Sequence, residues 1–335
     1  SLPSWVEGTL IRNGPAKFHF GQQTIAHWFD GLAMLHAFTF GQGKVFYRNK
    51  FLRSTAYQNC VEHENLRFMG FAQDPCQSVF KRFFAHFIPS LTPRIVQNAN
   101  VNVMRIAEQC VALTETPLPV RFDLETLETL GVLNYQDQLS KSNCFESAHP
   151  HYDQKRSTAI NFQIKFGIKS HYTLYSIADK GPAKRDPFFN MITDKASYMH
   201  TFALTERYVI LVEYPLLLKP LDLLLKGGGY ITQFKWEPKR NTRFLVIDRS
   251  VGTLVKIFET ESFFCFHHIN AYEDNHTLVI DLIKYPNADI VFKNPPPGQK
   301  RTLAQFRIDL RAQTIKETTI KETSLELPRI YYQKH

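Results

Sequence analysis

The chain has 335 residues, of which 44% are hydrophobic and 21% are charged, enough apolar sequence for one large β-rich domain or two domains of another class. Its net charge of +9 would suit an anionic membrane or nucleic acid, but the basic residues are dispersed and form no recognisable nucleic-acid module, so no nucleic-acid partner is expected. The five cysteines are odd in number and lack C-x-x-C spacing, which indicates reduced thiols in a cytosolic compartment.

The first strong pattern along the chain is a β-hairpin. Residues 35–40 and 44–47 have strand-like composition, and Gly41-Gln42-Gly43 lies between them. Glycines at this spacing are typical of a hairpin turn. We therefore predict two antiparallel strands here.

A second pattern recurs along the whole chain. An apolar strand, an Asp, turn residues and the start of another strand appear at residues 121–127, 244–249 and 306–310. Because an Asp side chain can accept hydrogen bonds from the backbone that follows it, each copy predicts a turn between two strands. Irregularly spaced hairpins with few long helical patterns favour an all-β chain, either a propeller or a sandwich.

Two apolar segments interrupt the strands. The first has the spacing of an amphipathic helix and comprises Phe80, Phe83, Phe84, Phe87 and Ile88. It predicts either a helix that caps the sheets or an interfacial helix whose aromatic side chains enter a membrane. The second comprises the leucines of 216–218 and 221–225, and is too short and too interrupted to span a bilayer, which takes roughly 18 to 20 apolar residues. Residues 1–7 do not resemble a signal peptide.

Histidines stand before or after predicted strands at three places. The buried-strand pattern of 263–266 ends on His267 and His268, the A-H-P-H of 148–151 follows a polar segment, and His200 precedes the apolar strand 207–214. Neutral imidazoles at the mouth of an apolar strand suit Fe(II), Zn or Cu. A histidine pair is also often a hydrogen-bonded structural feature, and the residues alone leave both interpretations open.

The contexts of these histidines resemble the motifs of the carotenoid cleavage oxygenases. A-H-P-H at 148–151, Y-M-H-T-F-A-L-T-E at 198–206 and F-H-H-I-N-A-Y-E at 266–273 follow one another in that family's order. The opening also fits, with G-T-L-I-R-N-G-P at 8–15 and H-W-F-D-G at 27–31. The resemblance extends from about residue 3 to the last residue.

The resemblance implies a seven-bladed β-propeller with a helical or loop cap over its metal face. We expect a single domain over 1–335, with cap or membrane-facing segments at 76–90 and 214–229. D-P-C at 74–76 looks like that of the animal members, which makes Cys76 a candidate acylation site. The residues expected at a membrane-facing substrate entrance are Cys76, Phe80, Phe83, Phe84, Phe87, Leu217, Leu218 and Leu224. The implied location is cytoplasmic and peripherally membrane-associated.

The resemblance also implies an iron site. The ligand positions fall on His149, His200 and His267, which would hold Fe(II) and leave open positions for O₂. His151 and His268 do not match ligand positions. Glu115 and Glu326 match glutamates that hold the outer nitrogens of the ligating imidazoles, and Thr114 would face the open positions. From the residues alone, the two glutamates would be ordinary surface acids and Thr114 a plain strand residue.

The chain departs from the family pattern at its end. The family's fourth histidine lies beyond the segment that here reads L-P-R-I-Y-Y at 327–332, and His335 matches no ligand motif. The fourth ligand and the blades that close the propeller are therefore expected to be missing. We favour a fragment of a longer protein over a natural short form with a defective site.

The function implied is that of a dioxygenase. Iron and O₂ would cleave one conjugated double bond of a carotenoid or apocarotenoid to aldehydes, with β-carotene 15,15′-type cleavage to retinal favoured. Three alternatives stay open: a retinoid isomerohydrolase, a stilbene-cleaving oxygenase and a non-catalytic carotenoid-binding propeller. The implied partners are a carotenoid or retinoid substrate and a peripheral membrane surface.

Overall fold

The computed structural model describes residues 2–25, 27–64, 71, 97–167, 169–218, 230–292 and 300–330. Within these ranges, 25 strands form seven sheets. Helical structure there is limited to α1 (Thr55–His63), α2 (Asp289–Phe292) and the 3-10 helices Trp28–Asp30 and Tyr230–Gln233. The prediction of a mostly β chain is confirmed.

The chain divides into two compact units, one of residues 1–161, 176–186 and 225–232 and the other of residues 162–175, 187–224 and 233–335. The first unit contains β1 (Gly8–Lys17), β2 (His19–Phe20), β3 (Gln23–Thr24), β4 (Leu32–Gly41), β5 (Lys44–Phe51), β6 (Asn102–Ile106), β7 (Gln109–Leu113), β8 (Val120–Phe122) and β9 (Thr129–Val132). These strands form three sheets, in the orders β1-β4-β5, β2-β3 and β6-β7-β8-β9. The expectation of a single domain over the whole chain stays a prediction.

The predicted hairpin is confirmed as β4 and β5. The two strands pair antiparallel up to Gly41 opposite Lys44. Between them, Gln42 and Gly43 both have positive φ, 52° and 71°, as a two-residue type I′ turn requires. Side chains alternate along β4, so that Leu35 and Ala37 are fully buried in a cluster with Phe122 of β8.

A five-stranded sheet contains the A-H-P-H motif at one edge. Its strands are β10 (Cys144–Glu146), β11 (His151–Asp153), β12 (Thr158–Lys165), β13 (Ser170–Ala178) and β14 (Asp186–Thr193). The order is β10-β12-β13-β14, with β11 paired to β12. Most residues of β12 and of β13 are buried, which is the pattern of strands covered on both faces.

The second unit contains three further sheets. Their strands are β15 (Ala196–Ser197), β16 (Ala203–Leu204), β17 (Tyr208–Glu213), β18 (Leu216–Leu218), β19 (Phe234–Trp236), β20 (Thr242–Asp248), β21 (Thr253–Thr260), β22 (His268–Asp274), β23 (Thr277–Lys284), β24 (Arg301–Asp309) and β25 (Thr314–Thr323). The sheets have the orders β15-β18-β19, β16-β17-β20-β21 and β22-β23-β24-β25. Strand β17 is the one predicted at 207–214.

The three predicted Asp turns are confirmed. The Asp123 carboxylate accepts from the backbone N–H groups of Glu125 and Thr126, which begins the turn between β8 and β9. Asp248 accepts from Ser250 N–H after β20. Asp309 does the same for Arg311 and Ala312 after β24. In each copy, the carboxylate accepts hydrogen bonds from backbone N–H groups of the turn, which have no partner strand.

The predicted cap segments lie only partly within the described residues. Cys76, Phe80, Phe83, Phe84, Phe87 and Leu224 are outside them. Leu217 and Leu218 are described, and both are buried in β18, where β15 and β19 flank them. No helix of the described residues is long and apolar enough to cross a bilayer.

Candidate metal centre

His149 lies in the short connection between β10 and β11. Its backbone N–H donates to the Ser147 hydroxyl, and the Asn102 amide on β6 donates to the Ala148 carbonyl at 3.0 Å. The same Asn102 nitrogen is 3.5 Å from His149 Nδ1. These bonds hold the connection up to the imidazole, which is half-buried.

His200 and His267 lie in two other connections, before β16 and before β22. Their rings are 5.0 Å apart between centroids and nearly perpendicular, at 87°. His200 is buried, with the Tyr198 hydroxyl 3.4 Å from its Nδ1 and the Phe266 ring edge-on at 5.3 Å. The run 263–266, predicted as a buried strand, is buried but forms no strand, since only Phe264 makes an isolated bridge, to Tyr285. Phe266 of this run packs against both imidazoles.

Glu326 holds the outer nitrogen of His267. Its Oε2 is 2.6 Å from His267 Nδ1, and its Oε1 accepts from the Tyr285 hydroxyl. Burial alone would raise the pKa of Glu326, but the hydrogen bonds from His267 and Tyr285 outweigh burial and keep that pKa below its ordinary value. The ionised carboxylate can only accept, so Nδ1 of His267 is the donor, and Nε2 is the nitrogen that can bind a metal.

Burial has the stronger effect on His267 itself. It lowers the pKa of the imidazole more than the Glu326 contact raises it, so the ring is neutral near pH 7. A neutral imidazole is the form that ligates metals. The same contact thus orients the ring without keeping it protonated.

Three histidines come together, and they are the three that the sequence selected. Ligand nitrogens of His149, His200 and His267 all lie within 4.8 Å of one another, the one such group among the described residues. Two nitrogens that bind one metal at about 2.1 Å are about 3.0 to 3.4 Å apart, so a separation of up to 4.8 Å is somewhat wider than that of nitrogens on one ion. Three imidazoles without a thiolate are a donor set for a metal with open positions.

Each of these histidines follows an anchored residue by three positions. Before His149, Glu146 accepts from the buried Arg185 guanidinium. Before His200, Ser197 N–H donates to the buried Tyr172 hydroxyl. Before His267, Phe264 exchanges two backbone hydrogen bonds with Tyr285. These anchors were missed in the sequence, because each partner is 21 to 39 residues away and has no motif of its own.

The other predicted residues lie as follows. Thr114 and Glu115 are half-buried just after β7, and the Glu115 carbonyl accepts from Glu146 N–H. His151 is in β11 and His268 begins β22, where its Nδ1 is 2.8 Å from the Thr201 hydroxyl. Neither belongs to the three-histidine group. The roles of Thr114 and Glu115 stay predictions.

Comparison with known proteins agrees with this arrangement. The family model described as retinal pigment epithelial membrane protein matches residues 1–335. The chain belongs to this family. The resemblance to carotenoid cleavage oxygenases is thereby confirmed.

The proteins to which this chain is similar are named as oxygenases. The mitochondrial carotenoid-cleaving dioxygenase of Mustela putorius furo is 35% identical over 301 residues, covering 84% of this chain and 54% of the relative. The human β,β-carotene 15,15′-dioxygenase is 32% identical and covers 85% and 55%. Cobalt-substituted Synechocystis apocarotenoid oxygenase matches with a TM-score of 0.79 at 25% identity, over 95% of this chain and 67% of that one. The chain spans about half the length of the curated relatives it matches.

Proposed function

We propose that this protein is a non-haem Fe(II) dioxygenase that uses O₂ to cleave a conjugated double bond of a carotenoid or apocarotenoid to aldehydes. The favoured substrate is β-carotene, cleaved at its 15,15′ bond to retinal. The observation that supports this best is the group of His149, His200 and His267, with Glu326 on the outer nitrogen of His267. The names of the relatives support the substrate class.

The residues of the chain have distinct parts in this proposal. The three imidazoles would hold Fe(II), which when bound supplies the O₂ chemistry. Glu326 keeps the His267 ring in one orientation and one tautomer. Glu115 is proposed to do the same for a second histidine, and Thr114 to face the open positions. Tyr198 and Phe266 pack against the His200 ring, and Phe264 packs on Tyr198. Together they exclude water from that side of the ring.

The fold in this proposal is a seven-bladed propeller with a cap over its metal face. Support comes from sheets of four strands in chain order, such as β6-β7-β8-β9 and β22-β23-β24-β25, which is the form of a propeller blade. The cap segments 76–90 and 214–229 would provide the substrate entrance. We place this entrance on a membrane surface, with the protein cytoplasmic and peripherally associated.

The test is an assay with defined products. The protein is loaded with Fe(II) and given β-carotene under O₂ or under nitrogen, and carbonyl products are trapped and identified. Aldehydes that form only with O₂ and iron would support the proposal. Conversion of a retinyl ester to an isomerised alcohol, turnover of a phenolic stilbene, or tight pigment binding with unchanged polyene absorption would each replace it with a different function.

A further inference from the structure

Tyr285 makes two contacts next to His267: its hydroxyl bonds Glu326, and its backbone bonds Phe264. It follows β23 directly and is 1% exposed. Its hydroxyl donates to Oε1 of Glu326, while Oε2 of that carboxylate is 2.6 Å from His267 Nδ1. Both oxygens of Glu326 therefore have a partner, one on each side.

The position of the Tyr285 hydroxyl is itself well defined. The backbone of Tyr285 exchanges hydrogen bonds of 2.8 and 3.0 Å with Phe264, three residues before His267. The Arg301 guanidinium lies 5.4 Å from the centre of the tyrosine ring, within the range of a cation–π contact. The backbone of Tyr285 is thus fixed by Phe264, and one face of its ring lies against a cation.

Glu326 has less support of its own, although the Leu327 N–H donates to its Oε2 at 3.2 Å. It lies in the segment after β25, outside any strand, and its side chain is 20% exposed. A glutamate side chain has three rotatable bonds, and an unrestrained one samples many rotamers. The Tyr285 hydroxyl is the contact that removes this freedom from the oxygen opposite His267.

We propose that Tyr285 is a positioning residue of the metal centre, which acts through Glu326. Its hydroxyl fixes the carboxylate so that Oε2 meets His267 Nδ1, and His267 then directs Nε2 to the metal. This inference rests on the proposed metal site. It adds to that site a residue that touches neither the metal nor a ligand imidazole with its hydroxyl.

The experiment measures metal affinity and not turnover. The full chain is titrated with Co(II) against a competing chelator, and the visible absorption of the bound ion reports its ligands. Tyr285→Phe keeps the ring and removes the hydroxyl, and we expect it to weaken Co(II) binding by about 10- to 100-fold, as does loss of a residue that orients a ligand. Glu326→Gln should weaken binding to a similar extent. The double variant should bind no more weakly than Glu326→Gln alone, because both changes break one connection.

Tyr214→Phe is the matched control. Tyr214 is 1% exposed and packs on Phe264, as Tyr285 does, and on Phe263. Its hydroxyl neighbours the Cys265 thiol instead of Glu326. This variant should bind Co(II) as the wild type does. Thermal melting of all variants checks that each is folded, and a Tyr285→Phe protein that melts early is compared at a temperature where it is still folded.

The outcomes separate the inference from the site on which it rests. Wild-type Co(II) affinity in Tyr285→Phe, beside weakened binding in Glu326→Gln, would overturn the role of Tyr285 and leave the metal site standing. Fully additive losses in the double variant would also overturn it, since Tyr285 would then act independently of Glu326. A wild-type chain that binds no metal would overturn the proposed site itself.

Discussion

Arg185 Nη1 lies 2.6 Å from Glu146 Oε1, and both side chains are almost completely buried, at 0% and 4% exposure. Nη2 of the same guanidinium is 2.7 Å from Asp137, and the Tyr135 ring lies 4.5 Å from its central carbon. One buried cation thus pairs with two buried carboxylates. Glu146 ends β10 three residues before His149, so this ion-pair cluster anchors the strand from which a proposed metal ligand emerges.

Replacement of this cation should be costly. We expect Arg185→Met to lower the free energy of unfolding by about 3 to 5 kcal/mol, because it leaves Asp137 and Glu146 buried without a counter-charge. Urea denaturation of variant and wild type measures the difference. Lys184→Met is the control, since the neighbouring Lys184–Asp186 pair is exposed and its loss should leave the midpoint unchanged. If Arg185→Met and Lys184→Met lose equal free energy of unfolding, burial of the Arg185 cluster does not explain the cost.

The same cluster predicts how stability depends on acid. Burial alone would raise the pKa of Asp137, but hydrogen bonds and the charge of Arg185 outweigh burial and hold that pKa below its ordinary value. The unfolded chain then binds the proton more tightly than the folded one. The stabilisation is therefore complete above the unfolded pKa of about 3.9 and disappears as pH falls through the lower folded value.

Asp137→Asn tests this pH dependence. The variant should be less stable at pH 7, and its free energy of unfolding should fall less steeply than that of the wild type between about pH 5 and pH 2. Denaturation curves at several pH values measure the slope. Asp186→Asn alters an exposed carboxylate one residue from Arg185, and should leave the stability at pH 7 close to that of the wild type. If the free energy of unfolding of Asp137→Asn falls with pH as steeply as that of the wild type, other groups cause the acid sensitivity.

Local patterns predicted much of this structure. The Gln42-Gly43 turn and the turns at Asp123 and Asp309 depend on backbone conformation and on hydrogen bonds within four residues, so their sequence determines them directly. The three histidines were found because their contexts resemble the motifs of the carotenoid cleavage oxygenases. These features need no knowledge of distant partners.

The anchors of the site could not be predicted in this way. Arg185 stands in K-R-D, which is typical of a charged surface turn. It is buried because it pairs with Glu146, which is 39 residues away and is not indicated by any local pattern. Tyr285 ends an apolar strand like many other aromatic residues, and Glu326, the residue it holds, is 41 positions away. Their roles come from tertiary contacts between groups without any sequence periodicity.

Glu115 is the glutamate whose proposed role has the least direct support, so its test matters. If it holds a ligating imidazole, Glu115→Gln should weaken iron binding by about 10- to 100-fold while the fold is kept. Iron retention under chelator challenge measures this. Glu125→Gln, in the exposed turn after β8, changes the same side chain away from the histidines and should retain iron. Equal retention in both variants would remove Glu115 from the site.

The central prediction concerns His200, the buried member of the three-histidine group. His200→Ala should abolish both metal binding and O₂-dependent cleavage, because it removes one of the three grouped imidazoles. The fold should be largely kept, since a cavity of one side chain costs less than the surrounding aromatic packing contributes. Metal content and circular dichroism of the purified variant measure the two effects separately. His151→Ala removes a histidine of the adjacent A-H-P-H motif that lies outside the group, and should keep its metal. Iron and turnover retained in His200→Ala would show that the three histidines are not the ligands.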